Sequence, residues 1–221
     1  MVLFYDIDGD HADHDDWHSN EHFAERLGVP GFIRATRWVA TRAATRYLVT
    51  YEVADVDVAT SAGYLERLNQ PSPWTSRMMP RFRGMTRGFC NVLRSEGFGL
   101  GAAAAVLRFT PGEGSEADLT DWIGTDILPA LAERREVAGA HLLRPAPPPP
   151  MTREQSLRGA DNPMSWLVLA TACDAAALEK AVDELLDNAA FRQHGAAQVM
   201  TPGFYGLHQT ATAEEVRAVR V

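Results

Sequence analysis

The chain has 221 residues, a formal net charge of -8 and a pI near 5.3. With 46% hydrophobic and 23% charged residues, it has the composition of a globular protein with a buried core, which excludes a disordered chain. The negative charge argues against a partner held mainly through phosphates, so no nucleic acid is expected.

Hydrophobic periodicity predicts the same order of elements twice along the chain: strand, helix, strand, strand, helix, strand. In the first half we predict strands at 1–7, 31–40, 45–54 and 82–94, with helices at 15–28 and 60–69. In the second half we predict strands at 99–109, 137–144, 164–172 and 203–210, with helices at 116–134 and 175–187. This order is the split-βαβ plan, in which helices cover one face of an antiparallel sheet.

Sequence landmarks recur in register between the two halves, which is how an internal repeat shows itself. The matched segments are Asp16-Trp17 with Asp121-Trp122, residues 29–32 with 137–140, 47–55 with 166–174, and 82–85 with 204–207. We therefore predict two tandem ferredoxin-like units, residues 1–96 and 97–221. The connection 145–163, which contains Pro147-Pro148-Pro149-Pro150, is expected to protrude from the second unit as a hairpin loop.

This duplicated plan resembles the dimeric α/β-barrel superfamily, in which two ferredoxin-like units close their sheets against each other. The resemblance implies an α+β fold for almost the whole chain. The superfamily includes lyases, isomerases, cyclases, cofactor-free monooxygenases, haem enzymes and binding proteins. The fold alone therefore does not decide the chemistry.

The first predicted helix, residues 15–28, contains the strongest candidates for a functional site, and we call it the histidine helix. At 100° per residue, His18, Glu21, His22 and Glu25 lie on one face. In the second half the positions equivalent to His18, His22 and Glu25 are Ile123, Ile127 and Ala130, so we expect this polar face to point into the core. A buried titratable cluster indicates either a functional site or a hydrogen-bonded structural network.

Two readings of the histidine pair stay open. His-x-x-Glu-His matches the inverted zinc-protease motif, so His18 and His22 are alternative metal ligands, although no third ligand is identified. The helix also resembles the first helix of EthD-like barrels, which implies that His18 or His22 lines a ligand cavity. Under that reading either histidine is the base, and Glu21 or Glu25 orients it.

Other side chains are candidates for holding a substrate. Trp17 lies on the histidine helix, Arg37 lies on the second strand, and Trp74 and Arg77 belong to a Pro-punctuated loop that could cover a cavity. The remaining general acids or bases are His141, Tyr205 and His208, for which a hydrogen-bonded structural role is the simpler interpretation. The acidic segment 6–16 lacks the EF-hand order and is interpreted as a loop ahead of the helix.

The sequence thus predicts a cofactor-independent lyase or isomerase that acts on a small carbonyl or aromatic compound in the first unit, with the second unit as support. The alternatives are a metal-dependent enzyme and a non-enzymatic binding protein. Haem ranks below these because no haem-ligand motif occurs. Exposed sheet edges allow a homodimer.

Location and thiol chemistry follow from simpler signals. No apolar run reaches the roughly 18 residues of a membrane helix, and the start turns acidic too soon for a signal peptide, so we expect a cytoplasmic protein with no membrane partner. Cys90 and Cys173 form no CxxC pair and are expected to be reduced, buried and structural.

Overall fold

The computed structural model describes residues 1–219. Ten strands are present in this range: β1 Val2–Ile7, β2 Phe32–Arg42, β3 Tyr47–Val53, β4 Phe82–Gly88, β5 Cys90–Gly97, β6 Ala103–Pro111, β7 Val137–Pro145, β8 Trp166–Ala172, β9 Ala196–Val199 and β10 Gly203–Thr212. The α-helices are α1 His11–Trp17, α2 Phe23–Leu27, α3 Ala62–Asn69, α4 Pro73–Met78, α5 Glu116–Trp122, α6 Leu128–Ala132, α7 Arg153–Arg158, α8 Ala175–Leu185, α9 Asn188–Gln193 and α10 Ala213–Val219. Short 3-10 helices lie at Val56–Thr60 and Met79–Arg81.

The strands form an antiparallel sheet in the order β4-β1-β3-β2-β10-β6-β8-β7-β5, with β9 paired to β6. Strands β4-β1-β3-β2 and β10-β6-β8-β7 each repeat the ferredoxin-like order. The two groups join where β2 pairs β10 and where β5 pairs β7. The predicted α+β fold is confirmed.

The predicted strand 82–94 is broken at Phe89, which is buried. Before the break β4 pairs β1, and after it β5 pairs β7 in the other half. One continuous stretch of chain therefore bridges the two ends of the sheet order and gives the barrel-type arrangement.

Three apolar clusters follow from the alternation of side chains along the strands. One lies inside the barrel and includes Phe4, Trp38, Leu167 and Tyr205. The other two fill the space between each half-sheet and its own helices. The histidine helix covers the layer of the first half, to which it contributes Trp17, Phe23 and Leu27.

The first helix begins at His11 rather than at residue 15, so the acidic segment is shorter as a loop than predicted. The reason is the Asp10 cap, whose side chain accepts a hydrogen bond from the backbone N–H of Ala12. Between α1 and α2 the helix widens into a π-helical turn over His18–His22. The second half has a π-helical turn at the aligned position, Ile123–Ile127.

The expectation that segment 145–163 protrudes is wrong. It contains α7, its Thr152 and Glu154 are buried, and it packs on the first half. Backbone hydrogen bonds fix both ends, from Ala146 N–H to Phe89 O at 2.8 Å and from Asn162 N–H to Met85 O at 2.7 Å. Glu154 forms an ion pair with the buried Arg26 of α2, and this pair holds the polar segment against the first half.

Both cysteines are free thiols. Cys90 is buried in the barrel, and burial raises the pKa of its thiol to about 11. Cys173 is exposed, so the expectation that it is buried is wrong; it lies at the turn where β8 ends. No helix within residues 1–219 is long and apolar enough to cross a membrane.

Candidate functional site

Three imidazoles follow one another along one face of the first helix, and we call this row the histidine ladder. His14, His18 and His22 recur every four residues, and successive ring centroids are 5.4 Å apart. All three are buried, with exposed fractions of 0, 3 and 8%. The ladder therefore faces the sheet, as the comparison with Ile123 and Ile127 predicts.

A cavity of about 30 Å³ lies beside this ladder, between the first half-sheet and its helices. His18, His22 and Arg26 line it from the helix, and Tyr51 lines it from β3. The rest of the wall is largely apolar and aromatic: Met1, Leu3, Tyr5, Tyr64, Leu68, Met79, Phe82 and Met85. Arg87, Glu154 and Arg158 complete the wall, and the last two come from the 145–163 segment of the second half.

The polar atoms around this cavity are only partly satisfied. His18 Nδ1, His22 Nδ1, Arg26 Nη1, the Tyr51 hydroxyl and Glu154 Oε1 are buried and have no hydrogen-bond partner among the described residues. Buried polar groups are nearly always paired, so these five atoms need polar partners, which water or a ligand in the cavity would supply.

Burial sets the protonation of the two central histidines. It lowers the pKa of His18 well below its ordinary value, and neighbouring His22, His14 and Arg37 act in the same direction. It does the same for His22, where Arg26 adds to the effect. Both rings are therefore neutral at neutral pH, which makes them proton acceptors.

A buried ion pair crosses the roof of the cavity. Arg26 Nη2 donates to Glu154 Oε2, and both side chains are at most 4% exposed. Burial alone would lower the pKa of Arg26, but Glu154 holds it above its ordinary value. This pair ties the helix of the first half to α7 of the second.

A second cluster anchors the same segment. Arg158 donates to Asp161 Oδ1 from both Nε and Nη2, at 3.1 and 2.6 Å. Arg87 Nε donates to Asp161 Oδ2 at 3.2 Å. All three side chains are at most 9% exposed. Charged pairs thus close one side of the cavity.

His14 has partners on both sides. Its Nε2 lies 3.1 Å from the Tyr5 hydroxyl, and its Nδ1 lies 3.0 Å from Asp15 Oδ1. Asp15 is partly exposed and lies 3.7 Å from Arg37 Nε. Burial, partly offset by Asp15, lowers the pKa of His14. The network links the cavity wall at Tyr5 to the protein surface.

The two predicted glutamates have different environments. Glu21 Oε1 accepts hydrogen bonds from Trp17 Nε1, Ser72 and Thr75, so it fixes the start of α4 rather than an imidazole. Glu25 Oε2 lies 4.0 Å from His22 Nδ1. Burial raises the pKa of Glu25. Of the two, only Glu25 is placed near an imidazole.

The predicted substrate-binding residues surround the site without lining the cavity. Trp17 packs against His22, with ring centroids 4.4 Å apart and the ring planes tilted by 35°. Trp74 and Arg77 lie on the helix α4 and not in a loop as predicted, because Ser72 caps a helix that starts at Pro73. Trp74 is partly buried against the core of the first half, and Arg77 is exposed and donates to Pro73 O. Arg37 is buried on the helix side of β2.

The remaining sequence candidates lie away from the cavity. His141 hydrogen-bonds Ser95 at 2.8 Å. His208 accepts from Arg37 Nε at 3.1 Å, and Tyr205 is buried inside the barrel. Each is accounted for by its structural contacts.

Sequence reasoning missed Arg26, Tyr51, Glu154 and Arg158. Arg26 extends the i, i+4 ladder of the histidines by one step, and that spacing was a usable signal. Glu154 and Arg158 carry no such signal, because they enter the first half from a loop of the second.

The alternative of a metal site has a limited donor set. Within residues 1–219, no group of three or more His, Cys, Asp or Glu side chains is arranged to hold a metal ion. His18 and His22 would need ligands from outside the protein.

No protein-family model matches the sequence, and no curated protein does either. Solved structures do match over nearly the whole chain. An "anthrone oxidase-like protein" has a TM-score of 0.64 at 9% identity, covering 97% of this chain and 93% of its own. A "Putative monooxygenase" from Fusobacterium nucleatum has a TM-score of 0.58 at 8% identity, and the match covers 96% of this chain and 92% of that protein. A "Putative Chlorite dismutase" has a TM-score of 0.54 at 12% identity, and the match covers 100% of this chain and 97% of that protein.

Identities this low speak only to architecture. Together with the strand order, they show that the chain has the ferredoxin-like α+β-barrel fold.

Proposed function

We propose that this chain is a small-molecule enzyme that transfers a proton in the first-half cavity, with His18 or His22 as the base. One observation carries this proposal. Two neutral, buried imidazoles line a cavity, and the Nδ1 atom of each has no partner among the described residues. A positioned neutral imidazole is a common general base.

The wall favours a small carbonyl or aromatic substrate. Its surface is mostly apolar and aromatic, which suits a flat carbon skeleton. Arg26 Nη1 and the Tyr51 hydroxyl are unpaired donors that could hold the substrate oxygen as it gains negative charge. Glu25 would then stabilise the protonated form of His22.

The simplest chemistry is a cofactor-independent isomerisation or elimination. The base takes a proton from carbon, and the enolate oxygen stays on Arg26 and Tyr51. The proton then returns to another carbon, or a leaving group departs with the electron pair. Neither route changes the oxidation state of the substrate overall, so neither needs an electron acceptor.

An oxidation is the second candidate, favoured by the likeness to the anthrone oxidase-like structure. The same enolate could pass its electrons to O₂. A CH₂ group plus O₂ would then give C=O plus H₂O, with one oxygen atom entering the product and the other leaving as water. Proton removal by the histidine is the first step in both candidates.

Substrate entry requires the 145–163 segment to move. A cavity of about 30 Å³ holds one or two waters and no organic substrate. The segment is held over the site by Arg26–Glu154 and by the Asp161 cluster, so we propose that these pairs open and re-form during turnover.

The test is deuterium exchange of acidic C–H groups in D₂O, followed by ¹H NMR, with anthrone and a cyclic 1,3-diketone as probes. Exchange should be faster with the wild-type protein than with buffer, and His18→Gln or His22→Gln should slow it at least about 100-fold. His194→Gln, which alters an exposed histidine in the second half, is the matched control. Equal rates for wild type and both site variants would refute the proposal.

An oxygen electrode separates the two candidates. O₂ uptake with anthrone that depends on the same histidine would favour oxidation. Exchange without O₂ uptake would favour isomerisation or elimination. Tight probe binding with neither reaction would leave a non-enzymatic binding protein.

We also propose that the chain is a tandem duplication and that it is a cytoplasmic, EthD-like homodimer. The shared element order and the aligned π-helical turns support a tandem duplication of residues 1–96 and 97–221. The EthD-like resemblance, a cytoplasmic location and a homodimer rest on the sequence. Sedimentation velocity, against a chain mass of 24.3 kDa, tests the last.

A further inference from the structure

A line of hydrogen bonds leads from the closed cavity to the protein surface. Tyr5 lies in the cavity wall, and its hydroxyl lies 3.1 Å from His14 Nε2. His14 Nδ1 in turn lies 3.0 Å from Asp15 Oδ1. Tyr5 and His14 are fully buried, whereas the Asp15 side chain is 21% exposed. These three side chains therefore join the cavity wall to solvent by direct contacts.

The charge of Asp15 fixes the direction of both hydrogen bonds. Burial would raise the pKa of this carboxyl, but the hydrogen bond with His14 and the charge of Arg37 lower it overall, so Asp15 is ionised at neutral pH. A carboxylate only accepts hydrogen bonds, so Nδ1 of the neutral His14 ring carries the proton and donates it. His14 Nε2 then accepts from the Tyr5 hydroxyl, and every donor in the line points outward.

The second half does not repeat this network. The positions aligned with His14 and Asp15 are Leu119 and Thr120. Leu119 is fully buried in the core of the second half, so an apolar side chain fills the same place on an equivalent helix. The fold therefore does not require a buried histidine with a partner on each nitrogen. That histidine occurs in the half that has the histidine ladder and its cavity.

A closed cavity needs such a connection if a base works inside it. A base that has taken a proton must release it before it can act again. Buried ion pairs hold the 145–163 segment over the cavity, so solvent does not reach the base directly. His18, His22 and Tyr5 all line the cavity, which has room for one or two waters. A water there can carry a proton from either imidazole to the Tyr5 oxygen.

We propose that Tyr5, His14 and Asp15 form a proton path between the cavity and solvent. A proton that reaches the Tyr5 oxygen displaces the hydroxyl proton to His14 Nε2. His14 passes its Nδ1 proton to Asp15, which releases it to water. An incoming proton reverses each transfer, so one proton out and one proton in restore the starting state. The role of the path in turnover rests on the proposed function, whereas its existence does not.

The test is the exchange of the ring N–H protons of His18 and His22 with water. Each neutral imidazole carries one such proton, and NMR saturation transfer on protein labelled with ¹⁵N-histidine measures its exchange rate. This measurement needs no substrate, so it reports on the path whether or not the protein is an enzyme.

The path variants are Tyr5→Phe, His14→Leu and Asp15→Asn. The control is Tyr64→Phe, which also removes one hydroxyl from the cavity wall. We expect each path variant to slow the ring N–H exchange at least about tenfold, because each one interrupts the same line of transfers. The control should leave the exchange rate unchanged.

The sign of the effect separates a proton path from a structural role. A substitution that only loosens the first half speeds the exchange of buried protons, because local opening becomes more frequent. Faster exchange in the path variants would therefore overturn the proposal and give His14 a structural role. Unchanged exchange would also overturn it, and would mean that protons enter when the 145–163 segment opens.

Deuterium exchange into anthrone tests the role in turnover separately. His14→Leu should slow this exchange as well, because the base then releases its proton more slowly. Slower ring N–H exchange in a protein that does not exchange anthrone would keep the path and refute the proposed function. Anthrone exchange by the wild type, with unchanged ring N–H exchange in the path variants, would keep the proposed function and refute the path.

Discussion

Replacing the two central histidines with the residues of the second half should flatten the pH dependence of stability. His18→Ile/His22→Ile installs the side chains of Ile123 and Ile127 on an equivalent π-helical turn. Burial lowers the pKa of both imidazoles well below the ordinary value. The folded state therefore resists protonation, while the unfolded chain binds protons below about pH 6.5, so wild-type stability falls as the pH drops through that value.

The size of this effect follows from linkage. A histidine that stays neutral when folded and titrates normally when unfolded costs about 1.4 kcal/mol between pH 7.5 and 5.5. Two such histidines cost about 2.7 kcal/mol. The double isoleucine variant should lose this part of the pH dependence and keep the part due to His14.

Urea unfolding at pH 7.5 and 5.5, followed by circular dichroism, measures the difference directly. His194→Ile is the control, because it removes a histidine that is exposed and lies in the second half, away from His18 and His22. If the double variant loses as much stability on acidification as the wild type, His18 and His22 are not held neutral by the fold, and the assignment of either as a neutral base fails with it.

Three further outcomes are expected. Glu154→Gln should lower the free energy of unfolding by about 3–4 kcal/mol, because it leaves Arg26 buried without its charged partner. The double variant Arg26→Met/Glu154→Leu should lose less stability. Urea unfolding would contradict this if the double variant were less stable than Glu154→Gln. Metal analysis of chelator-free protein should find no stoichiometric metal; near-stoichiometric metal lost in both His18→Ala and His22→Ala would instead support a metal enzyme. Gly101→Ala should destabilise by about 2–4 kcal/mol in thermal unfolding, since its Cβ would lie 2.0 Å from a carbonyl oxygen, and a stability change below about 0.5 kcal/mol would contradict this.

Much of the fold was accessible from periodicity and repetition. The near-continuous apolar runs of β1, β3 and β8 indicate strands that are buried on both faces, as the barrel requires. The alignment of Asp16-Trp17 with Asp121-Trp122 places the two π-helical turns in register. The start of α1 was missed by four residues, because Asp10 is one aspartate among several and composition does not reveal which one caps the helix.

The residues that line the cavity were predicted in part. Comparing His18 with Ile123 correctly identified a polar face directed at the core. Glu21 could not be assigned in the same way, because its partners Ser72 and Thr75 lie about fifty residues away. Glu154 was harder still, since it belongs to the other half. Local spacing reports neighbours on one helix, and it contains no information on contacts made by tertiary packing.

The length of the 145–163 segment also affects whether a pocket can form beside the helices of the first half. The corresponding connection in the first half is short, residues 43–46 between β2 and β3, whereas β7 and β8 are separated by residues 146–165. The length of one hairpin connection therefore determines whether the neighbouring half has a roof over its helix layer. Insertions and deletions there could create, enlarge or abolish a pocket while every barrel strand keeps its sequence.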